Sequence, residues 1–291
     1  MLWREVLRRI SGYWLICEFM TDSTTHAATH AATDAPPVLH SRDDRGVHTL
    51  TLNRPNAFNA LSQDMLAAMQ AALDFVALDP AARVVVIAAT GKAFCAGHNL
   101  KDMRANPELA YYQQLFAQCT RMMLAIQNLG LPVIAKVQGL ATAAGCQLVA
   151  QCDLAVAASQ ASFGVNGIDV GLFCATPSVP LVRNMPAKQA MEMLLTGEFI
   201  TADEARVRGL VNRVVPLEAL DAELEKLVVS ILAKPREAIA MGKALFYHQR
   251  ETSIEAAYQL AGQTMACNMA HPVAQEGVQA FIEKRKPQWP V

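Results

Sequence analysis

Two short stretches of the chain combine residue types that suit backbone amides to catalysis. The first is Phe94-Cys95-Ala96-Gly97-His98-Asn99-Leu100-Lys101, and the second is Gly139-Leu140-Ala141-Thr142-Ala143-Ala144-Gly145-Cys146. Each follows an apolar run that reads as a strand and precedes a stretch that reads as a helix. Small residues let the backbone come close to a ligand, and N–H groups at a helix start carry positive potential. Two such donors converging on one oxygen form an oxyanion hole, worth ~2.7–4 kcal/mol per donor to a transition state. An ordinary strand-to-helix turn accounts for either stretch taken alone.

The elements that would hold these stretches are legible in the pattern. Val38 to Arg42 and Val47 to Asn53 read as two strands around the turn Asp43-Asp44-Arg45-Gly46. Ser62 caps a helix with Met65, Leu66, Met69, Leu73 and Val76 at helical spacing. The run from Arg83 to Ala89 is apolar throughout, as a buried parallel strand requires. A glycine-punctuated loop, Thr90 to Leu100, then leads to a helix over about Pro107 to Leu129. The pattern repeats with a strand over Val133 to Val137, a helix over about Ala143 to Ala150 and a strand over Leu154 to Ala157. Short alternation of this kind predicts α/β with right-handed crossovers.

After Thr176 strands nearly vanish, Thr201 to Glu204 forms a capping box, and Leu217 to Ile282 reads as helix broken at Pro235 and Pro272. The expected organisation is therefore a poorly ordered tail over 1–37, an α/β core over 38–216 and a helical region over 217–291. The tail is low-complexity and places His26 and His30 four apart, a metal-binding spacing on a helix. It lacks the apolar face that would hold such a helix, so a solvated segment is expected. Met20 could equally be the start, with the preceding residues from upstream translation.

Composition narrows the function classes. The 291 residues are 53% hydrophobic and only 18% charged, against a usual ~25%, so part of the surface is expected to be covered by other subunits. Disorder and a charged coil are excluded. With 25 basic and 26 acidic residues and no basic stripe, non-specific nucleic-acid binding is not expected. No run of ~18 apolar residues is present to cross a membrane. Seven scattered cysteines fit reduced thiols in a cytoplasmic or mitochondrial-matrix protein, with no zinc spacing among them.

Taken in order, the motifs resemble the crotonase superfamily, the enoyl-CoA hydratase/isomerase family. They are Asn53-Arg54-Pro55, Phe94 to Met103, Val137 to Asp153, Ala190 to Val215 and Phe281 to Trp289, spread over about 250 residues. The resemblance implies a crotonase-type spiral of ββα units with an all-helical C-terminal trimerisation region, often a dimer of trimers. It implies acyl-CoA thioester substrates, with coenzyme A part of the substrate and no separate cofactor. Carried over by position, the oxyanion-hole donors would be the backbone N–H groups of His98 and Ala144. Ala96 and Lys101, with Phe281 and Lys284 from a neighbouring subunit, would bind CoA. Without the resemblance, those lysines read as surface salt-bridge residues.

The chain departs from the family where hydratases carry two glutamates. Those positions are Gln147 and Gly167. Glutamine can orient water but cannot take its proton, and general acid–base groups contribute ~10²–10⁴ each. The pair resembles the subgroup called enoyl-CoA hydratase domain-containing protein 3. Asn99 stands where related sequences often have aspartate. If the segment around Gly167 is extended, Asp169 shares its face and could lean into the space the missing side chain leaves. A structural hydrogen bond is the alternative role for Asp169, and the His98 imidazole is a second candidate acid–base group. Hydratase/isomerase-type chemistry is expected, with decarboxylation or silent acyl-CoA binding as alternatives.

Overall fold

A computed structural model describes residues 35–289. The expected tail, including His26 and His30, lies outside the described residues except at its end. There the carbonyl of Ala35 accepts from Arg54 at 2.7 Å and that of Pro37 accepts from the Asn53 amide at 2.7 Å. The described residues are thus tied to the core from slightly before Val38.

Two sheets carry the core. The larger has the order β1-β2-β3-β5-β7-β10, built from Val38–Arg42, Val47–Leu52, Val84–Ala89, Val133–Val137, Leu154–Ala158 and Arg213–Val215. β1 and β2 form an antiparallel hairpin, and the remaining pairs are parallel. The smaller sheet has the order β4-β6-β8-β9, from Ala93–Cys95, Leu140–Thr142, Ser162–Gly164 and Ile200–Thr201. Each strand β3, β5 and β7 is followed within a few residues by β4, β6 or β8, so the chain spirals and adds one strand to each sheet per turn. This is the expected α/β spiral. β4 fell inside the segment read as a loop, Thr90 to Leu100, because three residues show no alternation to recognise.

Burial explains the composition of β3. Val85 and Ile87 face the main core, while Val84, Val86 and Ala88 face a second cluster with Val156, Leu220 and Val228. Successive side chains of a strand point to opposite faces, so a strand covered on both sides must be apolar throughout.

Helices pack outside. α1 (Gln63–Ala77) starts at Ser62, whose hydroxyl accepts from the Met65 amide, and buries all five residues of its predicted stripe. α2 (Leu100–Ala105), capped by Asn99, fills the stretch between the expected loop and the expected helix from about Pro107. α3 (Leu109–Asn128) and α4 (Ala144–Gln151) follow. Asn166–Val170 forms a 3-10 turn before α5 (Ala175–Asn184) and α6 (Ala187–Thr196). α7 (Ala202–Val207) opens with the predicted capping box of Thr201 and Glu204.

The C-terminal region is helical as expected: α8 (Leu220–Leu232), α9 (Arg236–Gln249), α10 (Ile254–Ala270) and α11 (Pro272–Ile282). The break between α9 and α10, at residues 250–253, has no proline to announce it. Ser253 caps the new helix there. A buried polar knot fastens α9 to the core. Lys243 donates to Asp153 at 2.7 Å and to the carbonyls of Ile126 and Leu131, both at 2.9 Å, while Tyr247 donates to Asp153 at 2.8 Å.

Candidate active site

The two small-residue stretches are neighbours because β4 and β6 pair in parallel, with Ala93 opposite Leu140 and Cys95 opposite Ala141. The corners leaving these strands therefore emerge side by side. Gly97 has φ +84°, a conformation in which a side chain is strained. A β-carbon on Gly97 would stand 2.8 Å from the Ala143 methyl and 3.1 Å from the Ala144 nitrogen. Gly145 is required more severely, since its β-carbon would lie 2.0 Å from the Cys95 carbonyl oxygen. The first turn of α4 thus rests directly on the backbone of β4.

Ala144 is the first residue of α4, where an N–H has no partner within the helix. The conformational demand falls one residue earlier. Ala143 takes φ 50° and ψ −121°, a region proper to glycine. It is held there by its N–H donating to Gly164 at 2.9 Å and its carbonyl accepting from Gln147 at 3.0 Å. Such a conformation in a non-glycine residue costs ~1–3 kcal/mol and clusters at functional sites.

A cavity of about 290 Å³ opens at these corners. Its wall includes Ala96, His98, Ala144 and Gly167, four of the residues singled out from sequence, together with Thr142 and Asn166. Among the described residues, no Asp, Glu, Lys or Arg lines it. The His98 ring packs edge-on to Phe116 with centroids 5.3 Å apart. Its Nε2 is buried with no partner. Burial lowers its pKa to about 4, so the imidazole is neutral at pH 7. Burial also pushes the Cys95 and Cys146 thiols up to about 12, leaving them inert as nucleophiles.

Gln147 lies one turn into α4 and is buried, with Oε1 lacking a partner; it does not line the cavity. Lys101 is exposed on the first turn of α2, and Phe281 and Lys284 are exposed at the C-terminal end, all outside the cavity wall of their own chain.

Asp169 needs correction. The segment around it is a 3-10 turn rather than an extended strand, so residues two apart do not share a face. Its carboxylate lies against Gly197, whose β-carbon would meet Oδ1 at 2.8 Å, and Asp169 is absent from the cavity wall. Nor is a space left over Gly167. A β-carbon there would be 2.4 Å from the Leu172 carbonyl oxygen and 2.8 Å from the Cys174 sulfur.

Sequence reasoning missed Thr142 and Asn166. The Thr142 hydroxyl donates to Asn166 Oδ1 at 2.6 Å, joining the end of β6 to the start of the 3-10 turn. A lone hydroxyl in the run Leu140 to Ala144 was the available signal. Among the described residues, no cluster of His, Cys, Asp and Glu could hold a metal ion, and no helix is long and apolar enough to cross a membrane.

Comparison with known proteins matches residues 42–290 to the family described as enoyl-CoA hydratase/isomerase. The chain is 44% identical over 253 residues to the mitochondrial enoyl-CoA hydratase domain-containing protein 3 of Xenopus laevis, covering 87% of this chain and 86% of that one. Among solved structures it is similar to enoyl-CoA hydratase of Mycobacterium smegmatis, with TM-score 0.87, 64% identity and coverage of 88% and 99% of the two chains. It is also similar to human enoyl-CoA hydratase domain-containing protein 3, with TM-score 0.84, 42% identity and coverage of 87% and 100%.

Proposed function

The chain belongs to the enoyl-CoA hydratase/isomerase family, and from that premise we propose that it binds an acyl-CoA thioester and polarises its carbonyl with the N–H groups of His98 and Ala144. The observation that carries this reading is the contact between the two corners. A β-carbon on Gly97 would come within 3.1 Å of the Ala144 nitrogen, and His98 and Ala144 both line one small cavity, which supports a shared role for their amides. Both are main-chain donors fixed before substrate arrives, the arrangement that stabilises a developing oxyanion or enolate.

The role of each group follows from its chemistry. The two amides hold the thioester oxygen and lower the energy of a carbanion on the adjacent carbon. His98 is neutral and lines the apolar wall. Gln147, buried outside the cavity wall, and Gly167 supply no acid or base. Lys101 attracts CoA phosphates as a point charge. Ala96 lines the entry, while Phe281 and Lys284 serve the site of an adjacent subunit. Coenzyme A enters as part of the substrate.

Self-association as a trimer or dimer of trimers would cover large exposed apolar residues of α9 to α11, among them Phe246, Ile254, Tyr258 and Phe281. A mitochondrial or cytoplasmic setting, in fatty acid metabolism, suits the free thiols.

Two-glutamate hydration is not supported by this wall, which has no carboxylate. That same observation favours a second reading, in which the site assists a reaction needing little base, such as decarboxylation, or holds the acyl-CoA without turning it over. Titration calorimetry with crotonyl-CoA, followed by the loss of its alkene absorbance, tests both parts. Binding with slow or no hydration supports the assignment. Absence of binding overturns it, and turnover at rates usual for two-glutamate enzymes overturns the reading of Gln147 and Gly167.

A further inference from the structure

The cavity has a polar pole whose occupant the family assignment leaves open. Thr142 is 8% exposed and donates its hydroxyl proton to Asn166 Oδ1 at 2.6 Å. Both residues line the cavity, Thr142 two positions before Ala144 and Asn166 next to Gly167 in the chain. Asn166 carries one acceptor oxygen and an NH2 with two donors. With one lone pair of the oxygen taken by Thr142 and the hydroxyl proton spent, the donor left to serve a ligand is the NH2. Around it the wall is uncharged and largely apolar, Thr176 and the Cys174 thiol being its other polar groups besides His98.

We propose that Asn166, oriented by Thr142, is a specificity-determining donor that selects acyl thioesters carrying a carbonyl oxygen on the third carbon over hydrocarbon acyl thioesters of the same length. The inference rests on the acyl-CoA reading above. If the thioester oxygen docks at the His98 and Ala144 amides, the residue next to Gly167 faces the first carbons of the acyl chain. A ketone oxygen only accepts, and so matches the NH2 of Asn166, the donor that the Thr142 hydrogen bond leaves free. A hydrocarbon chain leaves the Asn166 donors buried and unpaired, and sites built to hydrogen-bond a substrate discriminate strongly against analogues lacking the partner. A second carbonyl also shares the charge of a carbanion on the carbon between the two, so such a substrate asks less of a base than a simple enoyl thioester does. A wall with no carboxylate is consistent with that.

Calorimetric titration of the full chain with acetoacetyl-CoA and with butyryl-CoA tests the inference, using wild type, Asn166→Leu and Thr142→Val. Wild type is expected to bind acetoacetyl-CoA at least about tenfold more tightly than butyryl-CoA. Asn166→Leu should lose that preference, with acetoacetyl-CoA bound more weakly and butyryl-CoA as tightly or more so because no unpaired donor is buried, and Thr142→Val should reduce it by releasing the amide. Equal affinities in wild type, or a preference that survives in Asn166→Leu, would overturn the role of Asn166 alone. Failure of both ligands to bind wild type would overturn the acyl-CoA reading as well.

Discussion

The carbonyl oxygen of Leu172 stands 2.4 Å from where a β-carbon on Gly167 would be, so backbone closes the position that the family resemblance assigns to a second glutamate. The turn is tied shut, with the Leu172 amide donating to the Gly167 carbonyl at 2.9 Å. Gly167→Glu therefore should not restore hydration. The variant is expected to melt at a lower temperature and to leave crotonyl-CoA hydration no faster than wild type. A gain in hydration of tenfold or more, without loss of stability, would contradict this account of the turn.

Ala143 gives a prediction of opposite sign. It holds a backbone conformation proper to glycine, at φ 50° and ψ −121°. Ala143→Gly relieves ~1–3 kcal/mol of strain, offset by ~0.5–1 kcal/mol of extra unfolded-state entropy. Urea unfolding should show a net gain of about 1 kcal/mol. A net loss would mean that the Ala143 methyl contributes packing that outweighs the strain.

His98 makes stability depend on pH. Its pKa is about 4 when folded, lowered by burial from 6.5. Between these values the unfolded chain binds the extra proton, so stability falls as pH drops from 6.5 toward 4. The loss from this residue is about 2 kcal/mol by pH 5. His98→Gln should remove that share of the decline, read as the difference between the two proteins in urea unfolding at pH 7 and pH 5. Identical declines would show that the imidazole is solvated in the folded state.

The knot at Lys243 bears on the helical region. Its ammonium is held by Asp153 and two carbonyls, and its side chain is 7% exposed. Burial lowers its pKa while Asp153 opposes the shift. Lys243→Met removes the cation and leaves Asp153 and both carbonyls short of a donor. Breaking a buried pair from one side costs ~3–5 kcal/mol. Thermal unfolding should therefore shift strongly downward, whereas a shift below a degree or two would show that water replaces the ammonium.

Much of the scaffold was legible because it depends on neighbours in the chain. The helical stripe from Met65 to Val76, the Thr201–Glu204 capping box and the wholly apolar β3 each follow from spacing or composition within one segment. The site was half legible. Small residues marked the corners at Gly97 and Gly145, and the family resemblance implied Gln147 and Gly167 as substituted glutamate positions. Strands as short as β4 and β9 escaped because two or three residues have no period.

Local order thus settles the elements, the places where backbone must be bare, and the family to which the motifs belong. Contacts across long separations settle the rest, since they arise only when the spiral closes. The parallel pairing of β4 with β6 brings Gly97 against Ala144, some 47 positions along the chain. The hydrogen bond from Thr142 to Asn166 spans 24 positions and gives the cavity its polar pole. The fate of Asp169 was decided in the same way, because the 3-10 turn and the packing against Gly197 send its carboxylate away from the cavity. No periodicity within a segment reports on such encounters, which depend on the register of the sheets and on which backbone fills which gap.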